Sequence, residues 1–198
     1  MDFEPKVFRT IVFIRHGQYQ RGPEKLTALG RRQARLVAQA VKPLKPLKLF
    51  CSTMPRAKET ARVIGTQVKL KPTVKDFFRE GLLPGTIGFY EMLTKKSSKS
   101  KKLEIKRKMK LAKVNADAAF KFLFRTPHAG QSCEVVVAHG NVIRHWVCKA
   151  LKIDQKKWLS MDVSHTSLTT IRIDKKGHFV LLGFSDNGHL PHKMRTYV

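Results

Sequence analysis

Short β-branched and aromatic runs alternate along this chain with longer stretches of helical spacing. Val7–Ile14 (VFRTIVFI), bounded by Pro5 and Gly17, predicts a buried strand. From Thr27 the apolar residues move to helical spacing. Leu29, Leu36, Val37, Ala40 and Val41 share one face, with arginines opposite. Thr27 is placed to cap this helix, and Pro43 and Pro46 end it. Leu47–Ser52 predicts a second strand. Arg56–Gln67 predicts a helix with Ala57, Thr60, Ala61 and Ile64 inward, and Thr73–Phe78 a third strand. Leu82–Gly88, with a proline and two glycines, reads as loop. The lysine-rich stretch Lys95–Lys110 predicts a flexible basic loop in its first half. Its second half joins a helix running through Phe124, with Ile105, Met109, Ala112, Ala116, Ala119, Phe120 and Leu123 on one face. Cys133–Ala138 is the most hydrophobic strand, and Val142–Leu151 follows as helix. Ser167–Ile173 and His178–Phe184 predict a hairpin around Asp174–Gly177. Strands alternating with helices predict an α/β fold: a three-layer sandwich with a mostly parallel central sheet and helices on both faces, as one domain over residues 1–198.

Charge adds a second layer. Forty Lys and Arg against fourteen Asp and Glu give +26. A field of that sign draws anions, although a solvated lysine-rich surface explains the count equally well. The basic segment at 95–113 fits a tether to nucleic acid or to an anionic membrane, or a nuclear localisation run. No aromatics interleave with its lysines, so no specific nucleic-acid partner is expected. It is read as an exposed loop and helix face that draws in acidic phosphoproteins. Three cysteines with no CxxC argue against a disulfide framework or a structural zinc site. Neither a secretory signal nor a run of about 18 apolar residues occurs. The expectation is therefore an intracellular, cytoplasmic protein without a transmembrane segment, with mitochondrion and nucleus as alternatives. A homodimer stays open.

Parallel sheets hold ligands at the carboxyl ends of their strands. The first predicted strand ends in Arg15-His16-Gly17 and the second in Cys51-Ser52-Thr53, with Arg56 just beyond. The third ends in Arg79-Glu80-Gly81, and the strand before the last helix in His139-Gly140-Asn141. Histidines, arginines and a carboxylate thus converge on one edge. Guanidinium forks match phosphate oxygens. A neutral imidazole is a nucleophile at pH 7, and a carboxyl group protonates a leaving oxygen and then activates water. No carboxylate cluster, metal-ligand spacing or Gly-rich nucleotide loop is present, so neither metal nor cofactor is expected.

Those residues carry a resemblance. FIRHG at Phe13–Gly17, LTALGRRQA at Leu26–Ala34, CSTMPRAKETA at Cys51–Ala61 and AHGNVIR at Ala138–Arg144 follow one another in the order of the histidine phosphatase superfamily, which has the phosphoglycerate mutase-like fold. HGQYQ, REG and the closing LGFSDNGHLPHKMRT most resemble members acting on phosphoserine and phosphothreonine in proteins. The resemblance implies a metal-independent phosphatase working through a phosphohistidine on His16. Arg15 and Arg56 would bind phosphate oxygens, His139 would complete the pocket, and Glu80 would serve as general acid. Plainer roles stand beside each: a hydrogen-bonding histidine at a strand end, surface arginines, a helix-capping His139, a Glu80–Arg79 ion pair. Ser52 and Thr53 suit either the pocket or a helix cap. The family's mutases carry S-x-x-N after RHG and E-R-x-x-G around the acid. Here Gln18-Tyr19-Gln20-Arg21 and Arg79-Glu80-Gly81-Leu82 occupy those places, which favours a phosphatase over a mutase. A small-metabolite phosphatase and a non-enzymatic basic anion-binding module are the alternatives.

Overall fold

The computed structural model describes residues 7–83, 95 and 97–197. Residues 84–88 of the predicted loop and residue 96 of the basic segment lie outside the described residues. The strands are β1 (Phe8–Arg15), β2 (Lys48–Ser52), β3 (Thr73–Lys75), β4 (Gln131–Ala138), β5 (Leu168–Asp174) and β6 (Phe179–Asp186). The α-helices are α1 (Ala28–Val41), α2 (Pro55–Val68), α3 (Lys99–Leu123) and α4 (Gly140–Ala150). The sheet order is β3-β2-β4-β1-β5-β6. The first four strands of that order run parallel, and the β5–β6 hairpin adds antiparallel to β1. Alternate residues of the central strands feed opposite layers, as the two-residue period of a strand requires. Ile11, Phe13, Val136 and Ala138 pack under α3 and α4, while Val12, Ile14, Val135 and Val137 pack under α1 and α2.

Three expectations need correction. The third strand stops at Lys75, because Asp76–Phe78 closes into a 3-10 turn. The turn buries Phe78 among Phe50, Phe122 and Trp146. In the basic segment the helix starts at Lys99, well inside the half expected to be loop. Ser98 caps it by accepting from Lys101 N–H. The inner face of α1 is Gly30, Gln33, Ala34, Val37, Ala38 and Val41, leaving Leu29, Leu36 and Ala40 only partly buried. The cause of that rotation is close approach. A Cβ on Gly30 would lie 2.0 Å from the Gln18 carbonyl oxygen, and one on Gly17 would lie 2.6 Å from that of Gly30. The helix therefore turns its smallest residue toward the loop that follows β1.

Candidate active site

Parallel pairing brings the histidines together. Arg15 of β1 lies opposite Ala138 of β4, so the next residues, His16 and His139, emerge side by side with ring centroids 5.0 Å apart. His16 is 2% exposed. Its Nδ1 is 2.9 Å from its neighbour's carbonyl, Gly17 O, and its Nε2 is 2.9 Å from Arg56 Nε. The Arg56 group can only donate. Nε2 therefore holds the lone pair, and Nδ1–H donates to Gly17 O. The acceptor that fixes the tautomer is the backbone itself. Burial, then the neighbouring His139 and Arg56, holds the His16 ring well below the usual histidine range, so it stays neutral.

Arg56 is delivered by the first turn of α2, behind Pro55. Its guanidinium lies 4.5 Å from the centre of the Tyr19 ring, with Nη1 3.0 Å from Glu24. Arg15, also buried, donates through Nη1 to Val163 O while its Nε has no partner. Burial pushes Arg15 down to about 10, against the pull of Glu80 and Asp162. His139 precedes α4, and its Nε2 is 2.9 Å from Ser52 Oγ. Ser52 Oγ also accepts from Met54 N–H, and the other ring nitrogen, Nδ1, is buried without a partner. Burial, then Arg56 and Arg15, holds His139 neutral as well. Ser52 does not cap α2, whose N-cap is Met54 with no side-chain cap bond; its hydroxyl lies between Met54 N–H and His139. Thr53 instead donates to Asp76 at 3.0 Å.

Glu80 is half-buried at the rim, accepting from Gly81 N–H at 3.2 Å and from Asn141 N–H, in the first turn of α4, at 3.4 Å. Burial raises its pKa despite those donors and the nearby arginines. Arg79 is exposed and pairs with Asp76 at 3.5 Å, so the plain reading of a Glu80–Arg79 ion pair is not observed. The edge holds two inward arginines rather than three.

Several lining residues escaped the sequence reading. Thr60 Oγ1 accepts from Gly17 N–H. Tyr19 stands edge-on to His16 at 5.1 Å. His165 lies 5.6 Å from His16 and is 5% exposed. The rule applied to the sequence inspects residues that follow strands. β5 runs antiparallel to β1, with Leu168 opposite Ile14, so the residues preceding β5 reach the same edge. The SHTS run at Ser164–Ser167 was the signal available. Among the described residues no group of His, Cys, Asp or Glu is arranged to hold a metal ion. The assembly joins neutral imidazole, two guanidinium groups and a carboxyl group whose pKa burial raises, with Arg15 Nε and His139 Nδ1 buried and unpartnered, a set of groups suited to an anion.

The profile of the histidine phosphatase superfamily (branch 1) matches residues 11–187. The chain is 34% identical over 192 residues to the mitochondrial serine/threonine-protein phosphatase Pgam5 of Caenorhabditis elegans, covering 92% of this chain and 64% of that protein. It is 31% identical over 214 residues to Pgam5 of Drosophila willistoni, covering 98% and 69%. This chain thus spans about two thirds of those relatives' length. Among solved structures, phosphoserine phosphatase of Entamoeba histolytica with 3-phosphoglyceric acid superimposes with a TM-score of 0.68, at 21% identity over 92% of this chain and all (100%) of that one. Phosphoglycerate mutase of Plasmodium falciparum gives 0.64, at 24% identity over 94% and 96%. Both show the same fold.

Proposed function

This chain belongs to the histidine phosphatase superfamily (branch 1), and from that premise we propose that it hydrolyses phosphate monoesters on serine and threonine side chains of proteins. One observation carries the mechanism. The neutral His16 Nε2 sits against Arg56, with buried unpartnered nitrogens on Arg15 and His139 around it. In the first step the Nε2 lone pair attacks phosphorus while the bond to the leaving oxygen breaks and Glu80 donates its proton to that oxygen. The guanidinium groups and His139 hold the three outer oxygens. In the second step water attacks the phosphohistidine, its proton passes to Glu80, the P–N bond breaks and inorganic phosphate leaves. Atoms and charge are restored, with no metal or cofactor in either step.

The protein substrate is supported by the names of the curated relatives. A phosphopeptide and metabolite panel tests it. Wild type is expected to release phosphate from phosphoserine and phosphothreonine peptides, with acid-labile phosphate appearing on His16, and His16→Ala is expected to lose turnover. A variant that still turns over removes His16 from this role. Mutase flux above phosphopeptide hydrolysis would favour the second reading, a mutase. The relatives are named mitochondrial, so that compartment takes precedence over the cytoplasm expected from the sequence, and cell fractionation decides between them. No helix among the described residues is long and apolar enough to cross a membrane.

A further inference from the structure

We propose that His165 contacts the substrate, its Nε2–H donating to an oxygen of the phosphate attacked by His16, and that the C-terminal segment through Thr196 sets the ring in that pose. This rests on the phosphatase reading for the identity of the anion.

The ring is buried beside the nucleophile, yet its Nε2 has no hydrogen-bond partner. The other nitrogen is fully engaged. Nδ1 lies 3.0 Å from Thr196 Oγ1 and 3.2 Å from Thr196 O. Thr196 Oγ1 itself accepts from Gln33 Nε2 at 2.8 Å. Thr196 O can only accept and already takes the His165 N–H at 3.0 Å, so in the phosphate-bound state the Thr196 hydroxyl proton goes to Nδ1 and the ring proton to Nε2. The two ring nitrogens diverge, so a ring pinned to Thr196 by one presents the other away from the tail. Gln33 also donates to Met194 O and accepts from Gln18 N–H. One α1 side chain thereby joins the tail to the loop after His16.

The backbone holds this pose against a cost. Thr166 has φ +57, a left-handed conformation that a β-branched residue rarely adopts. It is pinned there by Thr166 N–H to Arg15 O at 2.9 Å and His165 N–H to Thr196 O at 3.0 Å. Arg15 donates to Val163 O in the same loop. Backbone strain of this kind gathers at ligand sites. A histidine serving only to anchor the tail would need Nδ1 alone. The second nitrogen, buried and unpaired beside the nucleophile and near both arginines, is then placed to meet the anion those arginines attract.

The test uses inorganic phosphate on the whole chain. In protein carrying 15N-labelled histidine, the His165 Nε2 resonance is expected to shift on saturation with phosphate. His165→Ala should raise the inhibition constant for phosphate and KM for a phosphoserine peptide together, by roughly ten- to a hundredfold. Thr196→Val should give a smaller rise in the same direction, and Thr196→Ser should restore wild-type values. Phosphate inhibition unchanged in His165→Ala, or a His165 Nε2 signal unmoved at saturation, overturns the proposal. The labelled wild type decides should the variant fail to fold. Failure of the enzymatic reading looks different: His16 would take no label from substrate while phosphate binding still depended on His165.

Discussion

At the residue scale, the site is organised by what each polar atom cannot do. Arg56 Nε cannot accept, so the His16 nitrogen facing it must carry a lone pair. Ser52 Oγ, held by Met54 N–H, binds His139 Nε2 and leaves Nδ1 without a partner. Among the described residues Glu80 is the one carboxylate whose pKa burial raises despite its donors. Its raised pKa keeps the proton to higher pH than an exposed glutamate would, which suits an acid in the first step that must act as a base in the second. Glu80→Gln removes that proton transfer. It should slow release of a serine alkoxide far more than release of p-nitrophenolate, which leaves without a proton. Parallel rates on phosphoserine peptide and p-nitrophenyl phosphate would assign Glu80 a structural role. The motif residues His16, Arg15, Arg56, His139 and Glu80 were legible in the sequence because each follows a parallel strand or opens a helix. His165 and Tyr19 were not. The polar SHTS run around His165 could be placed at the site only once β5 was known to run antiparallel to β1.

At the element scale, periodicity located the helices but not their rotation. Leucines suggested one inner face for α1, whereas contact with the loop after β1 selected the face bearing Gly30. Burying Gln33 on that face follows from the same choice, and Gln33 then ties Gln18 to the tail. Gly30→Ala places a methyl group against backbone atoms of Gln18, where no flexible side chain is available to yield. The melting temperature should fall by about 2–12 °C, corresponding to a loss of about 1–3 kcal/mol. kcat should fall with it, because the displaced loop carries Gly17 O, the acceptor for His16 Nδ1. Unchanged melting and kcat would show that the helix can slide outward freely. β3 failed as a full strand for a comparable reason. Phe77 and Phe78 have strand propensity, but the aromatic cluster between sheet and α3 takes them in only if the chain turns.

At the scale of the whole molecule, burial of neutral histidines and surplus positive charge pull in different directions. His16, His139, His145, His165 and His189 all have lowered pKa values, chiefly through burial, with His165 down to about 3. Their stabilising contribution is complete above the unfolded value of about 6.5 and is lost as pH falls below it, since the unfolded chain then takes up protons that the folded chain refuses. Glu80, with a raised pKa, runs the other way, but as one group against five. Asp117, lowered to about 2, acts only in stronger acid. The melting temperature should therefore drop between about pH 6.5 and 4.5. A flat profile in thermal scans over that window would mean that the buried rings protonate in place.

The positive charge has a location as well as a size. Ala112 of α3 meets Gly81 beside Glu80, and the helix continues from there to Lys99, roughly 20 Å of helix. Its C-terminal half descends past Trp146, which donates to Ala116 O, so the basic half rises beside the catalytic edge. Glu104 is paired with Lys108 and Asp117 with Lys113 and Lys149, while Lys101, Lys106, Arg107 and Lys110 are exposed. Charges set within about one Debye length of a mouth, about 10 Å at 0.1 M salt, accelerate the arrival of anions without touching the chemical step. Changing the three nearest of these, Lys106, Arg107 and Lys110, to glutamine should raise KM for an acidic phosphopeptide several-fold at low salt. It should leave p-nitrophenyl phosphate turnover unaltered, and the difference should vanish as salt is added. The same KM in variant and wild type at low salt would make the lysines a solvated face and nothing more. A loss confined to binding of anionic vesicles or RNA would assign the helix to a tether instead of to substrate capture.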